Sequence, residues 1–82
     1  MGQDDNGANY FLKKMSENTY NLSSLNHHSI EKLEALDVMG RSIKANFEVL
    51  NLHSVNIDLS HKGQVLIRFQ LNGDAQLLRI YN

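Results

Sequence analysis

The stretch Ser29–Gly40, SIEKLEALDVMG, decides the fold, because it reads both as helix and as strand. Ile30, Leu33, Leu36 and Met39 recur every third residue, Ser29 stands where a helix would be capped and Gly40 where one would stop. Glu31 and Glu34 also suit a helix N-terminus. As an extended chain, Leu33, Ala35 and Asp37 share one face while Glu34, Leu36 and Val38 share the other. Local propensity favours the helix. The surroundings favour the strand, because the neighbouring segments all carry strand character and local choices must agree with the whole for a chain to fold. The stretch is therefore read as a strand with apolar residues on both faces, which predicts a central place in a sheet, and Gly40 as a hairpin-type turn residue.

Working outward, the clearest strand is SVNIDLS at 54–60, where Val55, Ile57 and Leu59 alternate with Ser54, Asn56, Asp58 and Ser60. A period of two cannot line one face of a helix. After the break HKG, the run QVLIRFQL puts Val65, Ile67, Phe69 and Leu71 on one face. The turn signal NGD at 72–74 then leads into AQLLRIY, so 55–81 reads as a three-strand meander. RSIKANFEVLNLH, between Gly40 and Ser54, has β-branched and aromatic residues without clean alternation and reads as a strand with a loose loop. Upstream, YFLKKM and TYNLSSL are short segments set apart by SEN and NHHS. Residues 1–9, MGQDDNGAN, lack apolar periodicity and read as a disordered lead-in or linker. About seven closely spaced strands over 10–82 predict a small seven-stranded antiparallel, immunoglobulin-like β-sandwich.

Composition narrows the function classes. Eighty-two residues form one small domain, which buries only about 60–65% of its unfolded surface. The ten asparagines and absence of proline favour a turn-rich chain over a helical bundle. Eight basic against nine acidic side chains give a net charge of −1, which offers no broad positive field for nucleic acid. No apolar run is long enough for a membrane span, and the opening residues lack the pattern of a signal peptide.

From Leu33 onward, the order of LEALDVMGR (33–41), VNIDLS (55–60), KGQVLIRF (62–69), NG (72–73) and LLRI (77–80) resembles the C-terminal sorting domain of proteins exported by the type IX secretion system of Gram-negative bacteria. The family pattern runs from an apolar strand into an Asp-x-x-Gly-Arg turn, then through an Asn/Asp-rich strand, Gly-x-Tyr-x-x-Arg, a Gly turn and a last strand with a basic residue. Asp37, Gly40 and Arg41 match the first turn, Gly63 and Arg68 the penultimate strand, Gly73 the last turn and Arg79 the basic position. The chain departs from the family in having no proline, in placing Val65 at the usual Tyr and in carrying Tyr81-Asn82 where many members end in lysine.

The resemblance implies a non-catalytic recognition module on a larger exported protein, passing through the periplasm to the outer membrane and cell surface. Its implied partners are the outer-membrane translocon and a cell-surface sortase or attachment complex. The seven matched residues would supply recognition, and Asp4–Asn9 would be the accessible linker for a cut, or the domain would be retained in a machinery component. Alternatives are a carbohydrate-binding or adhesive sandwich, which calls for clustered exposed aromatics, and an edge-pairing oligomerisation domain. The expected state is a monomer or weak dimer.

Other chemistry is weakly signalled. His27, His28, His53 and His61 fit no metal-ligand spacing, there is no cysteine, and no nucleophile or paired-carboxylate arrangement stands out. The sequence thus predicts no enzyme, no metal and no cofactor. The sequon NLS at 21–23 is a chance-level match.

Overall fold

The computed structural model describes residues 9–25 and 27–82. The linker expected over residues 1–9 therefore lies outside the described residues except for Asn9, whose carbonyl accepts the Leu25 N–H at 2.7 Å. Seven strands follow: β1 (Tyr10–Lys14), β2 (Thr19–Ser24), β3 (Ile30–Leu36), β4 (Ala45–Asn51), β5 (Ser54–Leu59), β6 (Gln64–Leu71) and β7 (Asp74–Tyr81). All pairings are antiparallel. One sheet runs β1-β2-β5-β4 and the other β3-β6-β7, and the two form a small β-sandwich.

The core is the sum of the inward positions. Leu22, Val55, Ile57 and Leu59 from the first sheet meet Val65, Ile67 and Phe69 from the second, and all seven are buried. Each such side chain contributes about 1.5–3 kcal/mol when fully removed from water. The Tyr10 and Phe69 rings meet edge to face, centroids 5.2 Å apart, fastening β1 across to the other layer. At the far end of β6, Gly63 and Asn82 exchange two backbone hydrogen bonds of 2.8 Å. The Asn82 amide also donates to the carbonyls of Leu59 and His61 and accepts from the Tyr20 hydroxyl. Between β6 and β7, Asn72 and Gly73 both have positive φ (53° and 92°), the geometry of a type I′ hairpin.

Ser29–Gly40 is extended, and its helix-like spacing has a specific origin. Glu31 is opposite Gln70 and Glu34 opposite Arg68, so Lys32 and Leu33 together face Phe69: a β-bulge. Lys32 takes the extra residue's backbone with φ 55°. The insertion lets Ile30, Leu33 and Ala35 all contribute to the core, spaced by three and then two.

Two expectations are corrected. The strand is not central but lies at the edge of its sheet, with β6 in the middle. Leu36 is nonetheless buried on the opposite face from Ala35, because the chain folds back: Leu36 bridges to Ser42, and the Ile43 N–H donates to the Ala35 carbonyl. The turn at Gly40 accordingly leads into the other sheet instead of closing a β3–β4 hairpin. Likewise, 55–81 is not a three-strand meander, since β5 pairs with β2 and β4 while β6 and β7 belong to the opposite layer. A turn signal marks where a chain reverses and leaves open which sheet it re-enters.

The bulge yields a stability prediction. Lys32 is exposed and holds a left-handed backbone that costs an L-residue about 1 kcal/mol. Lys32→Gly is expected to raise stability by about 0.5–1 kcal/mol and Lys32→Val to lower it by at least as much. Urea unfolding followed by circular dichroism measures both.

Candidate functional site

The outer face of the three-stranded sheet is built in rows fixed by register. Leu36, Leu66 and Arg79 form one row, and Glu34, Arg68 and Leu77 the next. Arg68 and Arg79 therefore share this exposed face as diagonal neighbours. The bulge turns Glu34 outward directly opposite Arg68, whose Nε donates to Glu34 Oε1 at 3.1 Å and whose Nη2 donates to the same oxygen. The Ser42 hydroxyl donates to Glu34 Oε2 at 3.4 Å. The hydrogen bond from Arg68 is the main cause holding the Glu34 carboxyl below its ordinary range, against a smaller opposing effect of desolvation.

Beside the end of β3, the loop from Asp37 to Arg41 closes on one carboxylate. Asp37 Oδ1 accepts the N–H groups of Met39 and Arg41, each at 2.9 Å, and Oδ2 accepts Arg41 Nε at 3.0 Å. The Asp37 N–H donates to the Arg41 carbonyl at 2.8 Å, and the Gly40 N–H to the Asp37 carbonyl at 3.0 Å. The backbone bond from Arg41 is the largest cause depressing the Asp37 pKa, opposed by desolvation, with the Met39 N–H and the Arg41 side chain adding to it. Gly40, Gly63 and Gly73 have φ of 84°, 102° and 92°, and a Cβ on any of them would meet nothing within 4 Å. Backbone conformation, not space, holds these positions for glycine.

The seven sequence-nominated residues do not form one cluster. Arg68, on the central strand, and Arg79, on the edge strand β7, are diagonal neighbours on one face, while Asp37, Gly40 and Arg41 make a loop at the end of β3, where Leu36 meets Leu66 in the row that holds Arg79. Gly63 lies at that same end of the sheet, next to Asn82, and Gly73 at the opposite end. Glu34, the partner that fixes Arg68, was missed in the sequence, as were Leu77 and Tyr81, which are exposed on the same face. Only the shifted β3 register reveals the Glu34 pairing, whereas the alternation in AQLLRIY already put Leu77, Arg79 and Tyr81 on one side.

Elsewhere, the His27 and His53 rings meet edge to face with centroids 5.3 Å apart, and His53 Nδ1 lies 3.2 Å from the His28 carbonyl oxygen. Among the described residues, no three or more His, Asp or Glu side chains converge as a metal site would require, and no pocket opens. Among the described residues, the candidate site is thus an exposed sheet face with its adjoining loop, not a cleft. The fold defines the chain as a small antiparallel β-sandwich. Comparison with protein-family models, curated proteins and solved structures finds no match.

Both depressed carboxylates give stability that is complete above the unfolded-state pKa of about 4 and is lost as pH falls through the folded value. The melting temperature is expected to fall as pH drops below about 4, and to fall less steeply in the double variant Glu34→Gln, Asp37→Asn. Identical acid profiles for the two proteins would show that other groups carry the effect.

Proposed function

We propose that this domain is a sorting-type recognition module, resembling the C-terminal domains of type IX cargo, that directs a larger exported protein to an outer-membrane translocon. The module does no chemistry of its own. Its outer β3-β6-β7 face, with Arg68 and Arg79, is the surface that is read, and the Asp37–Arg41 loop shapes the end of that face. After translocation, a cell-surface sortase or attachment complex acts on the polar segment ahead of β1, or the domain stays attached in a machinery component.

One observation supports the reading: of the residues matched to the family pattern by order alone, Asp37, Gly40 and Arg41 meet in one loop and Arg68 and Arg79 meet on one face. The Asp37 carboxylate closes the turn by accepting three hydrogen bonds, two from Arg41 and one from the Met39 N–H. The two matched strand arginines share one exposed face, and only Arg68 has an acidic partner there among the described residues. An exposed arginine without a partner on a sheet face is available to bind a carboxylate or phosphate group in two-pronged fashion. The carbohydrate-binding reading has less support, because the exposed rings of Phe11 and Tyr81 lie on the outer faces of different sheets and cannot form one stacking platform.

Fusing residues 1–82 behind a reporter with an export signal, in a bacterium that has this secretion system, tests the proposal. The reporter is expected at the cell surface, and in the periplasm when residues 63–82 are deleted. Arg68→Glu with Arg79→Glu is expected to reduce surface delivery severalfold while the purified domain keeps its circular dichroism spectrum. A reporter that remains periplasmic with the intact domain would overturn the reading.

A further inference from the structure

The two histidine rings that meet at one end of the sandwich come from residues far apart in the chain, which is why spacing along the sequence showed no ligand pattern. His27 lies in the connection from β2 to β3 and His53 in the turn from β4 to β5. Main-chain hydrogen bonds tie these two connections together: the Ser24 N–H donates to the His53 carbonyl at 2.8 Å, and the Ile30 N–H to the Leu52 carbonyl at 2.9 Å. The Ser24 hydroxyl donates to the His28 carbonyl, and the His53 N–H to Asn51 Oδ1 at 2.7 Å. The imidazoles are thus held on backbone that is already fixed, so a ligand bridging them has little left to order beyond two side chains.

The ring atoms define the chemistry of that ligand. His53 Nδ1 lies 3.2 Å from the His28 carbonyl oxygen. Only a ring nitrogen that bears hydrogen is drawn to a carbonyl, so Nδ1 holds the proton and, in the neutral ring, Nε2 keeps its lone pair. A backbone carbonyl on the far nitrogen is a usual support of a histidine that binds metal. The two ring centroids are 5.3 Å apart. Two imidazoles on one tetrahedral zinc, with Zn–N of about 2.0–2.1 Å, have their centroids about 5 Å apart. His27 is exposed, so its ring can turn toward a shared ion without movement of the backbone. It also holds a left-handed φ of 60°, a conformation more usual for Gly or Asn, so an imidazole is kept there at a conformational cost.

We propose that His27 and His53 form a two-point site for a divalent transition-metal ion of the zinc or copper class, with water completing the shell. Imidazole suits these ions, whereas magnesium and calcium take oxygen donors. Two side chains fall short of the three or four that build a resident metal centre, so the ion is exchangeable and acts as a clip between the two connections. The site lies at the Gly73 end of the molecule, where the Asn72 N–H donates to the Ser29 carbonyl at 2.8 Å, and away from the Asp37–Arg41 loop. It is independent of the sorting reading and is measured on the purified chain alone.

Isothermal titration of the untagged 82-residue chain with Zn2+, Cu2+ and Mg2+ near neutral pH tests the site. One Zn2+ per chain is expected to bind, Cu2+ more tightly, and Mg2+ not at all. In nuclear magnetic resonance spectra, Zn2+ is expected to shift the ring signals of His27 and His53 and to leave those of His61 in place. His27→Asn suits the left-handed backbone, and His53→Asn keeps a side-chain N–H for the His28 carbonyl, so both variants are expected to fold as the parent does. Each is expected to weaken Zn2+ binding at least about tenfold. His61→Asn is expected to bind like the parent. A parent chain that takes up neither Zn2+ nor Cu2+, or binding that survives both the His27 and the His53 variant, overturns the proposal.

Discussion

The extra residue that β3 carries opposite Phe69 determines which way Glu34 points. Without it, Glu34 would fall opposite Ile67 and a carboxylate would face the core, at a cost of several kcal/mol unless neutralised. With it, Ala35 takes the inward place and Glu34 moves out to meet Arg68. The same step brings Leu33 against the core and leaves Leu36 on the outer face, where the return to Ser42 covers it. One inserted residue thus sets the packing on one side of the sheet and the electrostatics on the other.

The outer face that results is mixed in character. Arg68 is held by Glu34, so its position is defined, although an exposed ion pair of this kind contributes little to stability. Arg79 has no such partner among the described residues. Leu77 and Tyr81 supply exposed apolar area beside these charges. A surface with defined charge, an available arginine and some apolar area is suited to recognition by another macromolecule. The loop closed on Asp37 gives that surface a rigid boundary instead of a loose flap.

Most of the fold was legible because period-two alternation is a direct consequence of strand geometry. Val55, Ile57 and Leu59, and then Val65, Ile67, Phe69 and Leu71, proved to be core residues. The NG turn declared itself through chemistry specific to positive φ. What the sequence did not carry was the partition into layers. HKG reads as any other turn, and only the pairing of β5 with β2 and β4 shows that the chain changes sheets there. The edge position of β3 was hidden for a related reason. Buried residues on both faces suggest a central strand, yet here a fold-back segment does the covering. At the candidate site, Asp37 with Arg41 was legible from four-residue spacing, whereas the pairing of Glu34 with Arg68 spans 34 positions and depends on the bulge.

The sheet change between β5 and β6 has a further consequence, for the order in which the molecule can form. The four-stranded sheet is complete once residues 10–59 are available, but β3 has no strand to pair with until β6 arrives. Such distant pairings raise contact order and slow the final step. A chain that becomes available from its N-terminal end therefore passes through a half-sandwich in which Leu22, Val55, Ile57 and Leu59 still face water. Apolar surface left open in this way promotes association between chains, and here it is covered only when residues 64–81 follow.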